Sequence, residues 1–315
     1  MKVVFLDRMT LGDDFEMKLP FEAEFVCYDF TAPQEVAERI KDAGVIFVNK
    51  VKLREEDLSA AKNLKVICEA ATGYDNIDIA YCKKRGIGVC NVPGYSTNSV
   101  AQITVAMVMS LLNHLPEYAD YVAGGAYTKS GFPNCVTPVF HEMEGMTWGI
   151  VGYGAIGKKV ADIARACGCN ILAYKRTPEE GVSCVSLEEL LERSDIVSVH
   201  LPLSAETTQL IDKEKIALMK PNAIFINVAR GAVVDEAALC DALINKKIAA
   251  IGVDVYSKEP FAADSPYNAI KDRSNVCLTP HMAWGSLESR MRCFAAMLSN
   301  MQAFFDGKIQ NRVEL

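Results

Sequence analysis

The chain has 315 residues, enough for about two domains with a sizeable core each. Lys plus Arg total 33 and Asp plus Glu total 40, a formal net charge of −7, which argues against a surface built to hold nucleic-acid phosphates. Half of the residues are hydrophobic and 23% are charged, a globular rather than a disordered composition. No apolar run reaches the ~18 residues that would span a bilayer, so no membrane contact is expected. The opening MKVVFLD shows no small-residue cleavage site and is read as having no signal peptide. The 11 cysteines include no Cys-x-x-Cys pair and are read as reduced thiols of a cytoplasmic protein, with no metal set among them.

Short β-branched runs alternate with helical patterns along the chain. Strands are predicted at Val3–Leu6, Glu24–Tyr28, Val45–Val48, Lys65–Cys68 and Gly88–Asn91. Thr31 to Gln34, with Pro33 in the first turn, reads as a capping box opening a helix over Glu35–Lys41. Val100–Leu112 is apolar throughout and reads as a buried helix; 115–145 loses periodicity and reads as a loop or arm. A strand at Trp148–Gly152 and a helix at Ala155–Cys167 follow. Further strands are predicted at Ile171–Tyr174, Ile196–His200, Ala223–Val228, Ala250–Val253 and Val276–Leu278. Ser186 to Glu189 forms a second capping box, and the last helix is placed at about Leu287–Phe305. The alternation predicts an α/β protein of two doubly wound parallel sheets. One domain is expected to comprise 1–99 and 285–315, the other 100–284, because the termini of split folds usually lie together.

Gly152-Tyr-Gly154-Ala155-Ile156-Gly157 follows a predicted strand and opens a predicted helix. In that context the first glycine makes the turn, the second admits a pyrophosphate, and the third lets helix and strand pack closely. The next strand ends at Tyr174. There, where NAD sites usually place an acid, stand Lys175, Arg176 and Thr177. Two cations and a hydroxyl attract the 2′-phosphate that a carboxylate would repel, so NADP(H) is favoured, with NAD(H) possible.

Several separate motifs occur in order: Ala71-Thr-Gly-Tyr-Asp-Asn-Ile-Asp78, Asn91-Val-Pro-Gly-Tyr95, Asn227-Val-Ala-Arg-Gly-Ala-Val-Val-Asp235, Gly252-Val-Asp-Val-Tyr-Ser-Lys-Glu-Pro260 and Thr279-Pro-His-Met-Ala-Trp284. Together they resemble the D-isomer-specific 2-hydroxyacid dehydrogenase family. The resemblance implies a flavodoxin-like substrate domain, a Rossmann cofactor domain and an active site in the cleft between them. It implies that Arg230, Glu259 and His281 are the catalytic set, and that Val228, Ala229, Arg230 and Asp254 join the glycine loop in holding the cofactor. It also implies that Ala71, Thr72 and Gly73 hold the substrate carboxylate, alongside Arg230, His281 and Trp284.

The residue types suit that chemistry. A keto-acid reduction needs a proton donor that titrates near neutrality, a role suited to histidine. An arginine fork holds a carboxylate. A glutamate beside an imidazole favours the charged form and fixes which nitrogen carries the proton. Of the other histidines, His114 and His141 are read as structural or solvated, and His200 lacks a matching Arg and Glu.

The His-x-x-Trp spacing of His281 and Trp284 resembles the glycerate dehydrogenase and hydroxypyruvate reductase branch, so hydroxypyruvate or glyoxylate is the expected substrate. Glu259 stands where formate dehydrogenases carry glutamine, which counts against formate. The alternatives are a short phosphoglycerate dehydrogenase and a nicotinamide-sensing interaction protein without catalysis. Apolar surface on 100–112 and 115–145 is expected to form a homodimer, as the family implies.

Overall fold

Short β-branched runs become parallel strands in both halves of the chain. The computed structural model describes residues 1–315. The chain divides into two units, Met1–Ser96 with Gly285–Leu315 and Thr97–Trp284.

In the first unit, β1 (Lys2–Phe5), β2 (Glu24–Cys27), β3 (Val45–Val48), β4 (Val66–Glu69) and β5 (Gly88–Cys90) form one parallel sheet in the order β2-β1-β3-β4-β5. This is the flavodoxin-like order. Parallel neighbours need crossovers, supplied here by the short helices α1 (Val36–Ile40), α2 (Glu55–Leu58) and α3 (Ile79–Arg85). Val4, Ile46, Val48, Ile67 and Val89 pack against Val36, Ile40, Leu58 and Cys82. The alternate residues carry Phe5 and Phe47, and Phe294 of the last helix, Leu287–Phe305, meets Phe47 edge-on at 6.2 Å. Both faces are therefore covered, which is why the strands read as unbroken apolar runs.

The second unit begins with α4 (Thr97–Leu112), α5 (Leu115–Ala123) and α6 (Ala126–Ser130). There follow β6 (Thr147–Val151), α7 (Ala155–Ala166), β7 (Asn170–Tyr174), β8 (Ser183–Cys184), α8 (Leu187–Arg193), β9 (Ile196–Val199) and α9 (Lys213–Ile216). The unit closes with β10 (Ile224–Asn227), α10 (Glu236–Ile244), β11 (Ala250–Val253) and β12 (Val276–Leu278). Its seven strands are all parallel, in the order β12-β11-β10-β9-β6-β7-β8. The order reverses between β6 and β9, the point where doubly wound sheets bind ligands at their strand C-termini.

Adjacent strand residues point to opposite faces. Ile150, Ala173, Ile196 and Ile226 pack under α4 and α7, whereas Val151, Leu172, Val197 and Phe225 pack under α8 and α10. The expected α/β architecture of two parallel sheets is thus the observed one.

Two local readings are corrected. Thr31 does not cap a helix: its hydroxyl donates to the Leu6 carbonyl at 2.5 Å, and Glu35 Oε2 instead accepts from the Ala32 amide. A buried carbonyl at the end of β1 outcompetes the local cap. The segment 115–130 is helical, not irregular, as α5 and α6, with Pro116 in the first turn of α5. As its apolar pattern predicts, α4 is buried: Val100, Ala101, Met107, Val108 and Leu111 pack against α7 and the sheet. The exposed apolar side chains lie further on, at Leu115, Val122, Phe132, Val136 and Val139. No single helix is long and apolar enough to cross a membrane.

Candidate active site

The glycine loop is shaped by close approach. Gly152 has φ 101°, in the left-handed region, and a Cβ there would meet the His200 carbonyl carbon and the Leu201 nitrogen at 2.9 Å. A Cβ on Gly157 would lie 2.4 Å from the Gly152 carbonyl oxygen, so that position lets α7 sit directly against the loop. Gly154 is different: nothing lies within 4 Å of where its Cβ would be. The open space there is on the side of the helix start. Lys158 is the first residue to bond back into the turn, donating to Gly154 O at 2.9 Å, so the amides of Ala155, Ile156 and Gly157 remain available to an anion. These features fit a dinucleotide pyrophosphate.

At the end of β7, Lys175 forms an ion pair with Glu179, and Lys158 reaches the same carboxylate at 2.5 Å. The two ammonium groups, Lys158 foremost, hold Glu179 below the usual carboxylate range. Arg176 and Thr177 are exposed; Arg176 lies 3.6 Å from Glu206, itself exposed.

The catalytic candidates follow neighbouring strands. Asn227, Val253 and Leu278 share one level across β10, β11 and β12, and Arg230, Asp254 and His281 follow them at the same sheet edge. The turn after β10 is set by Asn227, whose Oδ1 accepts from the Ala229 amide and whose Nδ2 donates to the Arg230 carbonyl. The Arg230 guanidinium donates to Ala229 O at 2.8 Å and is partly exposed. Gly231 then passes so close to the next loop that a Cβ would meet the Tyr256 carbonyl carbon at 2.0 Å. Ser257 of that loop donates its amide to Glu236 Oε1 at 2.8 Å. The loops carrying Arg230 and Glu259 are therefore packed as one piece.

His281 Nδ1 lies 2.7 Å from Glu259 Oε2, and Glu259 Oε1 accepts from the Tyr256 amide at 3.0 Å. A carboxylate only accepts, so Nδ1 carries the proton and Nε2 is turned to the remaining side. The backbone of His281 has φ 52°, rare for a residue with a Cβ. It is held there by flanking bonds. Its amide donates to Thr279 O at 3.1 Å and Trp284 Nε1 donates to His281 O at 2.9 Å.

Asp254 is buried beneath this loop. Its carboxylate accepts from the Thr279 hydroxyl at 2.5 Å and from the Met282 and Ala283 amides at 2.9 Å. Burial raises its pKa, and these three bonds oppose the rise. The resemblance implies a cofactor role for Asp254; within the protein its carboxylate is bonded to the His281 loop.

His200 directly follows β9 beside the glycine loop, with Nε2 2.9 Å from Ser198 Oγ. Burial pushes its imidazole down to about 3, so it is neutral near pH 7 and a poor proton donor. In the first unit, the amides of Ala71, Thr72 and Gly73 meet no acceptor of the chain, while the Thr72 hydroxyl donates to Val92 O and Asn91 Nδ2 donates to Thr72 O. The sequence reading missed Gly231, Glu236 and Lys158. A glycine directly after the arginine was the one visible signal among them.

Residues 105–283 match the family described as D-isomer specific 2-hydroxyacid dehydrogenase, NAD binding domain. Over 315 residues the chain is 39% identical to a glycerate dehydrogenase of Methylorubrum extorquens, covering 99% of each chain. It is 36% identical to a hydroxypyruvate reductase of Blautia hydrogenotrophica, again over 99% of both. Among solved structures, an NADPH-dependent glyoxylate/hydroxypyruvate reductase of Sinorhizobium meliloti superposes with a TM-score of 0.85 at 29% identity, over 99% of this chain and 97% of that one. The chain belongs to the D-isomer specific 2-hydroxyacid dehydrogenase family. It is an NAD(P)-dependent oxidoreductase acting on a CH–OH group.

Proposed function

We propose that the protein interconverts a small 2-keto acid and its 2-hydroxy acid, either hydroxypyruvate and D-glycerate or glyoxylate and the achiral glycolate. The observation that carries this reading is the Glu259–His281 pair, which leaves one imidazole nitrogen oriented away from the carboxylate. Similarity to a glycerate dehydrogenase and a hydroxypyruvate reductase supports the substrate class.

In this reading His281 Nε2 gives its proton to the carbonyl oxygen on reduction and takes it back on oxidation, while Glu259 stabilises the charged ring through Nδ1. Arg230 binds the carboxylate and polarises the neighbouring carbonyl. The amides of Ala71, Thr72 and Gly73 offer donors suited to a carboxylate, in the manner of an anion nest. Trp284 limits the size of the substrate side chain.

Gly152, Gly154, Ala155, Ile156 and Gly157 hold the pyrophosphate, Lys175, Arg176 and Thr177 the adenosine side, and Val228, Ala229 and Arg230 the nicotinamide side. The nicotinamide, when bound, supplies the reducing equivalent. NADP(H) is favoured because Lys158, Lys175 and Arg176 outnumber the acids they pair with, Glu179 and Glu206. The apolar side chains exposed on 115–139 support a homodimer, and the 11 free cysteines support a reducing cytoplasm.

The decisive experiment is a panel of hydroxypyruvate, glyoxylate, pyruvate and 3-phosphohydroxypyruvate, each run with NADH and NADPH. Highest kcat/KM on hydroxypyruvate or glyoxylate is expected. Turnover confined to the phosphorylated acid, or to none, would overturn the reading. Light scattering at micromolar concentration tests the dimer.

A further inference from the structure

One acid interrupts the basic surface at the end of β7. Glu179 places its two oxygens on two different ammonium groups, Oε1 on Lys158 and Oε2 on Lys175. Lys158 rises from the first turns of α7, beside the open amides of the glycine loop, and Lys175 directly follows Tyr174 at the end of β7. These two elements bracket the adenosine ribose in dinucleotide folds. A pair of ammonium groups bridged by one carboxylate is also a receptor for one phosphate.

We propose that Glu179 is an internal occupant of the anion seat between Lys158 and Lys175, which the 2′-phosphate of NADPH must take over, so that Glu179 sets how strongly the enzyme discriminates between NADPH and NADH. The proposal rests on the reading that the glycine loop and the end of β7 hold the adenosine half of the cofactor. The two ligands differ by one phosphate. With NADH, Glu179 stays between its lysines and neutralises their charge. With NADPH, the carboxylate has to leave before the phosphate can bind both cations. Glu179 therefore weakens NADPH binding without touching the rest of the cofactor. Its side chain is 29% exposed, and Lys175 and Lys158 are 32% and 46% exposed, so the seat is open to solvent and its occupant can be displaced. Lys158 then acts as a 2′-phosphate ligand drawn from the glycine-loop helix rather than from the strand end.

The test is direct binding of NADPH and of NADH to the purified protein without substrate, by calorimetry or nucleotide fluorescence, in wild type, Glu179→Gln and Glu179→Asp. Glu179→Gln is expected to tighten NADPH by about 3–10-fold, the scale of losing two exposed ion pairs, and to leave NADH within about twofold. Glu179→Asp, too short to reach both lysines, should fall between. Adding Lys158→Ala to Glu179→Gln should cancel the gain for NADPH alone. Unchanged NADPH binding in both variants overturns the proposal. So does a selective loss of NADH binding, which would make Glu179 an acceptor for the ribose hydroxyls. Failure of the wild-type protein to bind either nucleotide overturns the cofactor reading itself, and the proposal with it.

Discussion

Glu259 Oε2 sits 2.7 Å from His281 Nδ1, and the other oxygen of the same carboxylate is held by the Tyr256 amide. The carboxylate is thus fixed at both ends, and the imidazole it orients can exchange protons only through Nε2. Replacing His281 with Ala should lower kcat by about 10²–10⁴ while nucleotide affinity stays within about threefold of wild type. Glu259→Gln keeps a hydrogen-bond acceptor but removes the charge, and a loss of about 10–10² in kcat is expected. Stopped-flow reduction with each variant checks this. Near-normal turnover in His281→Ala would remove it from the mechanism.

Asp254 acts through the loop it supports. Three donors from Thr279, Met282 and Ala283 converge on its carboxylate, and a carboxamide cannot accept all three. Asp254→Asn should loosen the left-handed backbone at His281, lower kcat by about 10-fold or more and reduce Tm by a few degrees, because a buried donor is left facing another. A residue that bound only the nicotinamide would instead raise the Kd for NADH with Tm unchanged. Calorimetry on the variant separates the two.

The sequence pattern carries some of these residues and hides others, for reasons that differ by position. His281 is legible because a strand and Pro280 precede it, and Arg230 because it closes an apolar strand. Glu259 reads as an ordinary solvated acid within Ser257 to Pro260; only its contact with His281 distinguishes it, and that contact joins two strands' loops. Gly231 matters because the Tyr256 backbone approaches it, which no local spacing records. Thr31 misleads for the same reason in reverse, since its partner, Leu6 O, lies 25 residues away. The helices α5 and α6 are hard to see because both are short, Gly124 and Gly125 separate them, and neither contributes a buried side chain.

Glu69 gives a prediction about stability. It closes β4 fully buried, with Oε2 accepting from Asn76 Nδ2 at 3.0 Å and Oε1 without a partner. Burial pushes its carboxyl well above the usual range; Asp7 and Asp75 add to the rise, while Asn76 and Lys50 oppose it. The Cys293 thiol also faces it. The folded state therefore keeps this proton to a higher pH than the unfolded chain, whose glutamate titrates near ~4.3. The stabilising contribution is complete below that value and is lost as pH rises through the folded one. Glu69→Gln mimics the neutral acid, so it should match wild type at acidic pH and exceed it at pH 8 by about 1 kcal/mol or more, a few degrees in Tm. Thermal melts from pH 4 to 9 check this. A variant less stable than wild type at pH 8 would show that the fold needs the anion.

The choice between the two nicotinamide cofactors also depends on the cations after β7. Lys175 is partly shielded by its pair with Glu179, whereas Arg176 is 89% exposed and its partner Glu206 is 80% exposed. Exposed pairs of the second kind contribute little, so Arg176 is free to turn toward a phosphate, and its fork can bond two oxygens at once. Removing both cations, with Lys175→Ala and Arg176→Ala together, should raise the KM for NADPH by about 5–50-fold and that for NADH by less than about threefold. Because these groups are open to solvent, the NADPH preference of the wild-type protein should also decline as salt rises from 50 to 500 mM, over which the screening length falls to about 4 Å. Steady-state kinetics with both cofactors at several ionic strengths measures this. Equal effects on the two cofactors would mean that the strand-end cations do not read the 2′-phosphate.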